Sequence, residues 1–203
     1  MTGRSDDFAG LTVLITGASR GIGAATAKAF AGAGASVVLA ARTAQDIETI
    51  SSELGSKALA VTCDVTRSSD VEHAVQLAER TFGGLDILIN NAGLIDPIAR
   101  IADSTPADWD TVVDVNLKGV YHGIHAAVPA MRRRGRGRII NIPSGAATSA
   151  LEGWSHYCAT KAAVLSLTRT AGRELASKDI RRVCPPPGQR RTPTARRARP
   201  TGT

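Results

Sequence analysis

Two side chains late in the sequence have the types and spacing for acid–base chemistry: Tyr157 and Lys161, four residues apart in Tyr157-Cys-Ala-Thr-Lys161. On a helix that spacing puts both on one face. An isolated tyrosine has a pKa of about 10 and is a poor proton donor near neutrality. A neighbouring ammonium favours the phenolate and brings the group toward the range where proton transfer is efficient. The same pair on a merely solvated helix face would do nothing, so its meaning depends on its surroundings. A second feature is Thr16-Gly17-Ala18-Ser19-Arg20-Gly21-Ile22-Gly23. Glycines there allow backbone conformations closed to other residues and let the chain approach a pyrophosphate closely. The helix start that follows offers free N–H groups and the positive end of its dipole. A glycine-rich turn can exist without a ligand; its place between a strand and a helix favours the phosphate cradle. His73, His122, His125 and His156 have no metal-ligand spacing with cysteines or acids, and no metal site is expected.

These residues must be held by regular elements, and up to residue 179 the pattern is strand, helix, strand, helix. The runs 11–16, 36–40, 58–62, 85–89 and 138–142 are short and apolar, as strands buried on both faces are. Between and after them, 22–33, 45–54, 69–82, 109–131 and 157–177 have helical spacing, with glycines at several ends. Such alternation predicts an α/β fold, a doubly wound parallel sheet with right-handed crossovers. Ligands of these sheets bind beyond the carboxyl ends of the strands, where strand order reverses. The chemistry is therefore expected in the turns after Thr16, Ala40, Thr62, Ile89 and Ile142.

The G-x-x-x-G-x-G turn preceded by threonine resembles that of the short-chain dehydrogenase/reductase family, and other positions agree. Asn90-Asn91-Ala92-Gly93 is similar to the family's N-N-A-G after the fourth strand. Asn116, in V-D-V-N-L-K-G, stands where the family has its active-site asparagine. Ser144 follows the fifth strand, thirteen residues before Tyr157, and Tyr157 with Lys161 matches Y-x-x-x-K. The resemblance spans about residues 10–180. It implies a Rossmann-like domain that transfers hydride between a nicotinamide and a carbonyl or alcohol carbon of a small molecule. Tyr157 would give a proton to the substrate oxygen and Ser144 would hydrogen-bond the same oxygen. Lys161 would tune Tyr157 and bind the nicotinamide ribose, and Asn116 would position a water linking Lys161 to solvent. The implied dinucleotide contacts are Thr16, Gly17, Ser19, Arg20, Gly21, Ile22, Gly23, Arg42, Asp64, Val65, Asn91, Ala92, Gly93, Tyr157 and Lys161. Pro187 and Gly188 stand at the family's usual distance from Lys161, and Thr192 falls where a family threonine contacts the nicotinamide amide. Pro143 occupies a position where the family often has another serine. NAD-selective members place an acid after the second strand, where it bonds the ribose 2′-hydroxyl; this chain has Ala40-Ala41-Arg42. Arg20 and Arg42 together could clamp a 2′-phosphate, so NADP(H) is expected over NAD(H).

With 43% hydrophobic and 21% charged residues, the 203-residue chain is neither disordered nor collagen-like. Its apolar runs fall short of the ~18–20 residues of a membrane span. Asp6 and Asp7 stand where a signal peptide would be apolar, and Cys63, Cys158 and Cys184 read as reduced thiols, so a cytoplasmic protein is expected. The net charge of +7 is local: residues 1–179 balance 18 basic against 18 acidic side chains, and seven arginines from Arg181 to Arg199 carry the excess. Five of the nine prolines also follow residue 180. The chain is thus divided into a flexible N-terminus (1–9), a catalytic domain (10–180) and an irregular basic tail (181–203). The family continues with a sixth strand, a Pro-Gly turn, a substrate-covering segment and a seventh strand. Arg181, Arg182 and Pro185-Pro186 suit a central strand badly, so the C-terminal strands are expected to be degraded or missing. Out-of-frame translation of a GC-rich gene is the expected origin of the tail; a polyanion-binding arm or a diverged strand are the alternatives. No aromatic residues interleave its arginines for base stacking, which argues against a nucleic-acid partner. The family usually assembles as a homotetramer through its last strand and the helix before it, an assembly the altered sequence puts in question. The competing function is a dinucleotide-binding remnant or binding module without turnover. Among the remaining features, Arg132 to Arg138 read as a solvated connecting loop, Trp154 and His156 as pocket lining, and Cys158 as a buried bystander.

Overall fold

In the computed structural model, residues 7–175 are described. The expected elements are present with shifts of a residue or two at most ends. The strands are β1 (Thr12–Thr16), β2 (Ser36–Ala41), β3 (Ala58–Thr62), β4 (Ile87–Asn90) and β5 (Arg138–Asn141). The helices are α1 (Gly21–Gly32), α2 (Ala44–Leu54), α3 (Ser68–Phe82), α4 (Pro106–Val113), α5 (Gly119–Arg134) and α6 (Ser155–Leu175). The helix expected over 109–131 begins earlier, because Thr105 caps it: its hydroxyl accepts from Asp108 N–H while Asp108 bonds back to the Thr105 backbone, with Pro106 at the first helical position. A π-helical segment, Asp114–Lys118, joins α4 to α5.

All strand pairs are parallel and the order is β3-β2-β1-β4-β5. Register lines up Leu59, Val38, Leu14, Leu88 and Ile139 in one row across the sheet. That row faces α3, α5 and the end of α6, where Val71, Ala127, Met131, Ala171 and Leu175 pack. The alternate residues Val13, Ile15, Val37, Leu39, Ile87 and Ile89 face the other way, onto Ala27 of α1 and Ile47 and Ile50 of α2. Both faces are covered, which is why β1 is buried at every position and shows no polar alternation. Burying a side chain such as Leu14 or Leu88 stabilises the fold by about 2 kcal/mol. The chain is wound to one side of β1 and then to the other, so β1 and β4 are neighbours whose connections diverge. This is the doubly wound, Rossmann-like α/β fold in one domain, with its crevice above the β1–β4 pair.

No helix among the described residues is long and apolar enough to cross a membrane. The expectations for the sixth and seventh strands and for the tail lie outside the described residues, as does most of the N-terminal segment. The arginine run is a correction. Arg132, Arg133 and Arg134 form the last turn of α5, and Arg138 opens β5. Arg133 pairs with Glu79 at 2.9 Å; Arg134 and Arg136 pair with Asp86 at 3.3 and 2.6 Å. The run is half structural bracket, because α5 ends beside the buried carboxylate that precedes β4.

Candidate active site

The glycine turn folds against the start of the segment after β4. Gly17 has φ +65°, and a Cβ there would stand 2.8 Å from the Ala92 Cα. Gly21 also lies in the left-handed region, at φ +57°, and a Cβ on Gly23 would collide with the Gly17 carbonyl oxygen. Side chains stitch the two segments together. The Thr16 hydroxyl accepts from Asn91 N–H at 3.1 Å and Ala92 N–H at 3.2 Å, and Asn91 Nδ2 donates to the carbonyls of Thr16 and Gly17, both at 3.0 Å. The first residue of α1 follows Arg20, whose side chain makes no capping bond, and the first turn holds no acid. The opening N–H groups of α1 are therefore left without a capping side chain from Arg20.

Above this turn lies a cleft of about 360 Å³. Of the expected dinucleotide residues, Gly17, Ser19, Arg20, Arg42, Asp64, Val65, Asn91, Ala92 and Gly93 line it. Thr16 is buried beneath, Ile22 is exposed at its side, and Gly21 and Gly23 shape the turn without lining the cleft. Pro187, Gly188 and Thr192 lie outside the described residues. Sequence reasoning missed Asp46, Thr43, Cys63 and Leu94, which also line the cleft. Asp46 had a signal: it sits in the first turn of α2, four residues after the expected arginine position. Partial burial pulls the Asp64 carboxyl up, but the Thr66 N–H and hydroxyl at 3.0 and 2.9 Å, with the Arg42 and Arg67 charges, outweigh this and hold it below the usual value. Burial, with Asp70 and Asp64 adding to it, pushes the Cys63 thiol up to about 12, so it stays protonated. A cleft with Arg20 and Arg42 on its lining, an uncapped helix start and glycines where a Cβ would block approach fit a dinucleotide with a phosphate-rich end. Among the described residues no group of three or more His, Cys, Asp or Glu could hold a metal ion.

Deeper along the same edge, α6 carries Tyr157 and Lys161 side by side: Lys161 Nζ is 5.5 Å from the centre of the Tyr157 ring. Lys161 is 9% exposed and donates to the Ile142 carbonyl at 3.2 Å. Burial lowers its pKa from the ordinary lysine value, and no carboxylate among the described residues pairs with it. Asn116 sits in the π segment, 1% exposed. Its Oδ1 accepts from Leu94 N–H at 2.7 Å, and its Nδ2 donates to the Leu94 carbonyl at 2.8 Å and the Thr160 hydroxyl at 3.2 Å. Gly93 marks the meeting point: a Cβ there would lie 3.4 Å from Asn116 Oδ1 and 3.9 Å from Lys161 Nζ. Ser144 stands two residues past the carbonyl that holds Lys161, and its Oγ accepts from Ala146 N–H at 3.2 Å, leaving the hydroxyl proton free to donate elsewhere. Two expectations are corrected. His156 is buried, 1% exposed, and does not line the cleft, because both ring nitrogens are engaged by backbone groups. Cys158 is partly exposed rather than buried, since its helix face turns toward solvent. Trp154 is half-buried and meets the Tyr157 ring edge-on at 5.7 Å.

The family profile described as short chain dehydrogenase matches residues 11–202. The chain is 37% identical over 196 residues to human Dehydrogenase/reductase SDR family member 4, covering 95% of this chain and 70% of that protein. It is 36% identical over 176 residues to an uncharacterized oxidoreductase of Staphylococcus aureus strain MW2, covering 86% of this chain and 76% of the relative. The crystal structure of a candidate short-chain alcohol dehydrogenase from Sinorhizobium meliloti 1021 superposes with a TM-score of 0.82 at 35% identity, over 87% of this chain and 71% of that one. With strand order, glycine turn and the Tyr157–Lys161 pair on one sheet edge, the chain belongs to the short-chain dehydrogenase family of oxidoreductases, which use NAD(H) or NADP(H).

Proposed function

We propose that the protein is an NADP(H)-dependent oxidoreductase acting on a small carbonyl or alcohol, with Tyr157 as general acid and base. The observation that carries this reading is the desolvated Lys161 ammonium against the Tyr157 ring, with no carboxylate paired to it among the described residues. A cation kept from any carboxylate attracts whatever negative charge develops next to it, here on the phenol oxygen as its proton leaves. When bound, the nicotinamide supplies or accepts the hydride. Tyr157 gives its proton to the substrate oxygen in the reductive direction and takes it back in the other. Ser144, whose hydroxyl proton is free, holds that same oxygen. Lys161, fixed by the Ile142 carbonyl, keeps the ammonium beside the ring and would bind the nicotinamide ribose. Asn116 holds the Leu94 backbone and would position a water that links Lys161 to solvent.

The 2′-phosphate preference rests on Arg20 and Arg42. Both are exposed at the rim and neither is paired with an acid among the described residues. Asp46 and Asp64 share that cleft, but Asp64 is committed to Thr66. Pro187, Gly188 and Thr192 fall within the matched family region, and by the family's pattern they would contact the nicotinamide end. The catalytic domain spans 10–180, the protein works in the cytoplasm, and its partner is the small substrate.

The test is ketone-dependent oxidation of NADPH over a broad ketone panel, run beside NADPH and NADH binding on the same preparation. NADPH is expected to bind more tightly than NADH, and at least one ketone to be turned over. Tyr157→Phe should bind NADPH as the parent does and lose at least about 100-fold in turnover. Binding without turnover of any ketone, or an undiminished Tyr157→Phe variant, overturns the reading.

A further inference from the structure

His156 is a buried imidazole whose two nitrogens are both assigned by their partners. Nδ1 lies 2.6 Å from the backbone N–H of Tyr157, which can only donate; Nε2 lies 2.7 Å from the Pro97 carbonyl, which can only accept. These partners make Nε2 the donor and Nδ1 the acceptor. The first bond satisfies a first-turn N–H of α6 that has no partner within the helix. The second reaches into the segment after β4, so one side chain joins the backbone of the acid–base residue to that segment. The Trp109 ring of α4 packs edge-on against the imidazole at 6.3 Å. Next to this tie the two segments meet again: Ala99 N–H donates to the Gly153 carbonyl at 3.0 Å, and Arg100 pairs with Glu152 at 2.6 Å. The ion pair is exposed on both sides, 73% and 74%, and so contributes little. The buried imidazole is the fixed point of the clasp.

We propose that His156 is a positioning residue that sets the Pro97–Arg100 wall at a fixed distance from Tyr157 and thereby the width of the substrate side of the crevice. The catalytic consequence rests on Tyr157 acting as proposed above; the clasp does not. Three variants separate the two bonds. His156→Asn offers an amide oxygen near the Nδ1 position and keeps only the Tyr157 tie. His156→Gln offers an amide N–H near the Nε2 position and keeps only the Pro97 tie. His156→Ala keeps neither.

Two readouts apply: hydrogen exchange at the Ala99 amide, and the KM-against-kcat split for the ketone best used by the parent. In the Ala and Asn variants, Ala99 is expected to exchange faster and KM to rise about tenfold, with kcat and NADPH binding near the parent's. The Gln variant should restore slow exchange and low KM. Parent-like exchange at Ala99 in the Ala and Asn variants overturns the proposal, as does rescue by Asn equal to that by Gln. Faster exchange spread evenly over the five strands also overturns it, because His156 would then be core packing alone. If His156→Ala does not fold, the Asn and Gln pair decides. If the parent turns over no ketone, the proposed reaction fails while the exchange pattern still decides the role of His156.

Discussion

Asp86, at the N-terminal edge of the sheet, and Lys161, at the C-terminal edge, are both ionisable groups taken out of water, and their surroundings differ. Asp86 is 4% exposed, accepts from Thr12 N–H at 3.0 Å and holds Arg134 and Arg136. Lys161 has one backbone carbonyl and no carboxylate among the described residues. The arginines follow the same division. At the lower edge they are tied to Asp86; at the upper rim Arg20 and Arg42 are open to the cleft. A charge compensated within the protein fixes backbone, whereas one left uncompensated keeps its field for something that arrives. The same sheet is locked at one end and poised at the other.

The largest effect that tests this contrast is at Lys161. Lys161→Met should lower turnover about 100-fold. It should not destabilise the protein near neutrality, because it removes a charge whose burial is unfavourable. The sign follows from the lowered pKa: between the folded value and the ordinary 10.5 the unfolded chain binds more protons, so the parent gains stability as pH rises through that window. The stability advantage of Lys161→Met should therefore shrink as pH climbs toward the ordinary lysine value, in denaturant melts taken across alkaline pH. A variant less stable than the parent at neutral pH would show that Lys161 is a structural tie after all.

Next in size is Asp86→Ala, which should cost about 2 kcal/mol, mostly by stranding the buried Thr12 N–H, with kcat unchanged. Burial pulls the Asp86 carboxyl up, but the Thr12 bond and the two arginines hold it below the ordinary 3.8. Its contribution is complete above that ordinary value and is lost as pH falls through the folded one, so parent and variant should converge in acid melts. Altered turnover would blur the division between the ends. The smallest effect expected is that of Arg42→Ala: NADPH binding weaker by about tenfold, roughly 1.4 kcal/mol, with NADH binding unchanged, read by titration of both. Equal weakening of the two would move Arg42 from the 2′-phosphate to the shared part of the dinucleotide.

The upper edge was far more legible in the sequence than the lower. Thr16 to Gly23 and the Tyr157–Lys161 spacing are local patterns, readable because a strand end, a glycine turn and one helical repeat each fit within a few residues. The Asp86 bracket joins residues 48 and 50 positions apart, and nothing near Asp86 or Arg136 announces the other, so the arginines read as solvent-facing. His156 misled for the opposite reason. Its closeness to Tyr157 in sequence suggested the cleft, but neighbouring helix positions point about 100° apart, and it turns inward. Asp46 escaped because reading for a carboxylate at the end of β2 stopped one helical turn early.

The π segment Asp114–Lys118 works as a fixed gear between α4 and α5. Removing one residue from it would rotate the flanking helices against each other by about 100°. Upstream, Trp109 would leave the imidazole it braces. Downstream, Gly123 would leave its place against Asn90, where a Cβ would collide with the amide oxygen. The length of this segment is therefore as constrained as any side chain on it: exposed Lys118 is open to substitution, while a deletion would unmesh both helices at once.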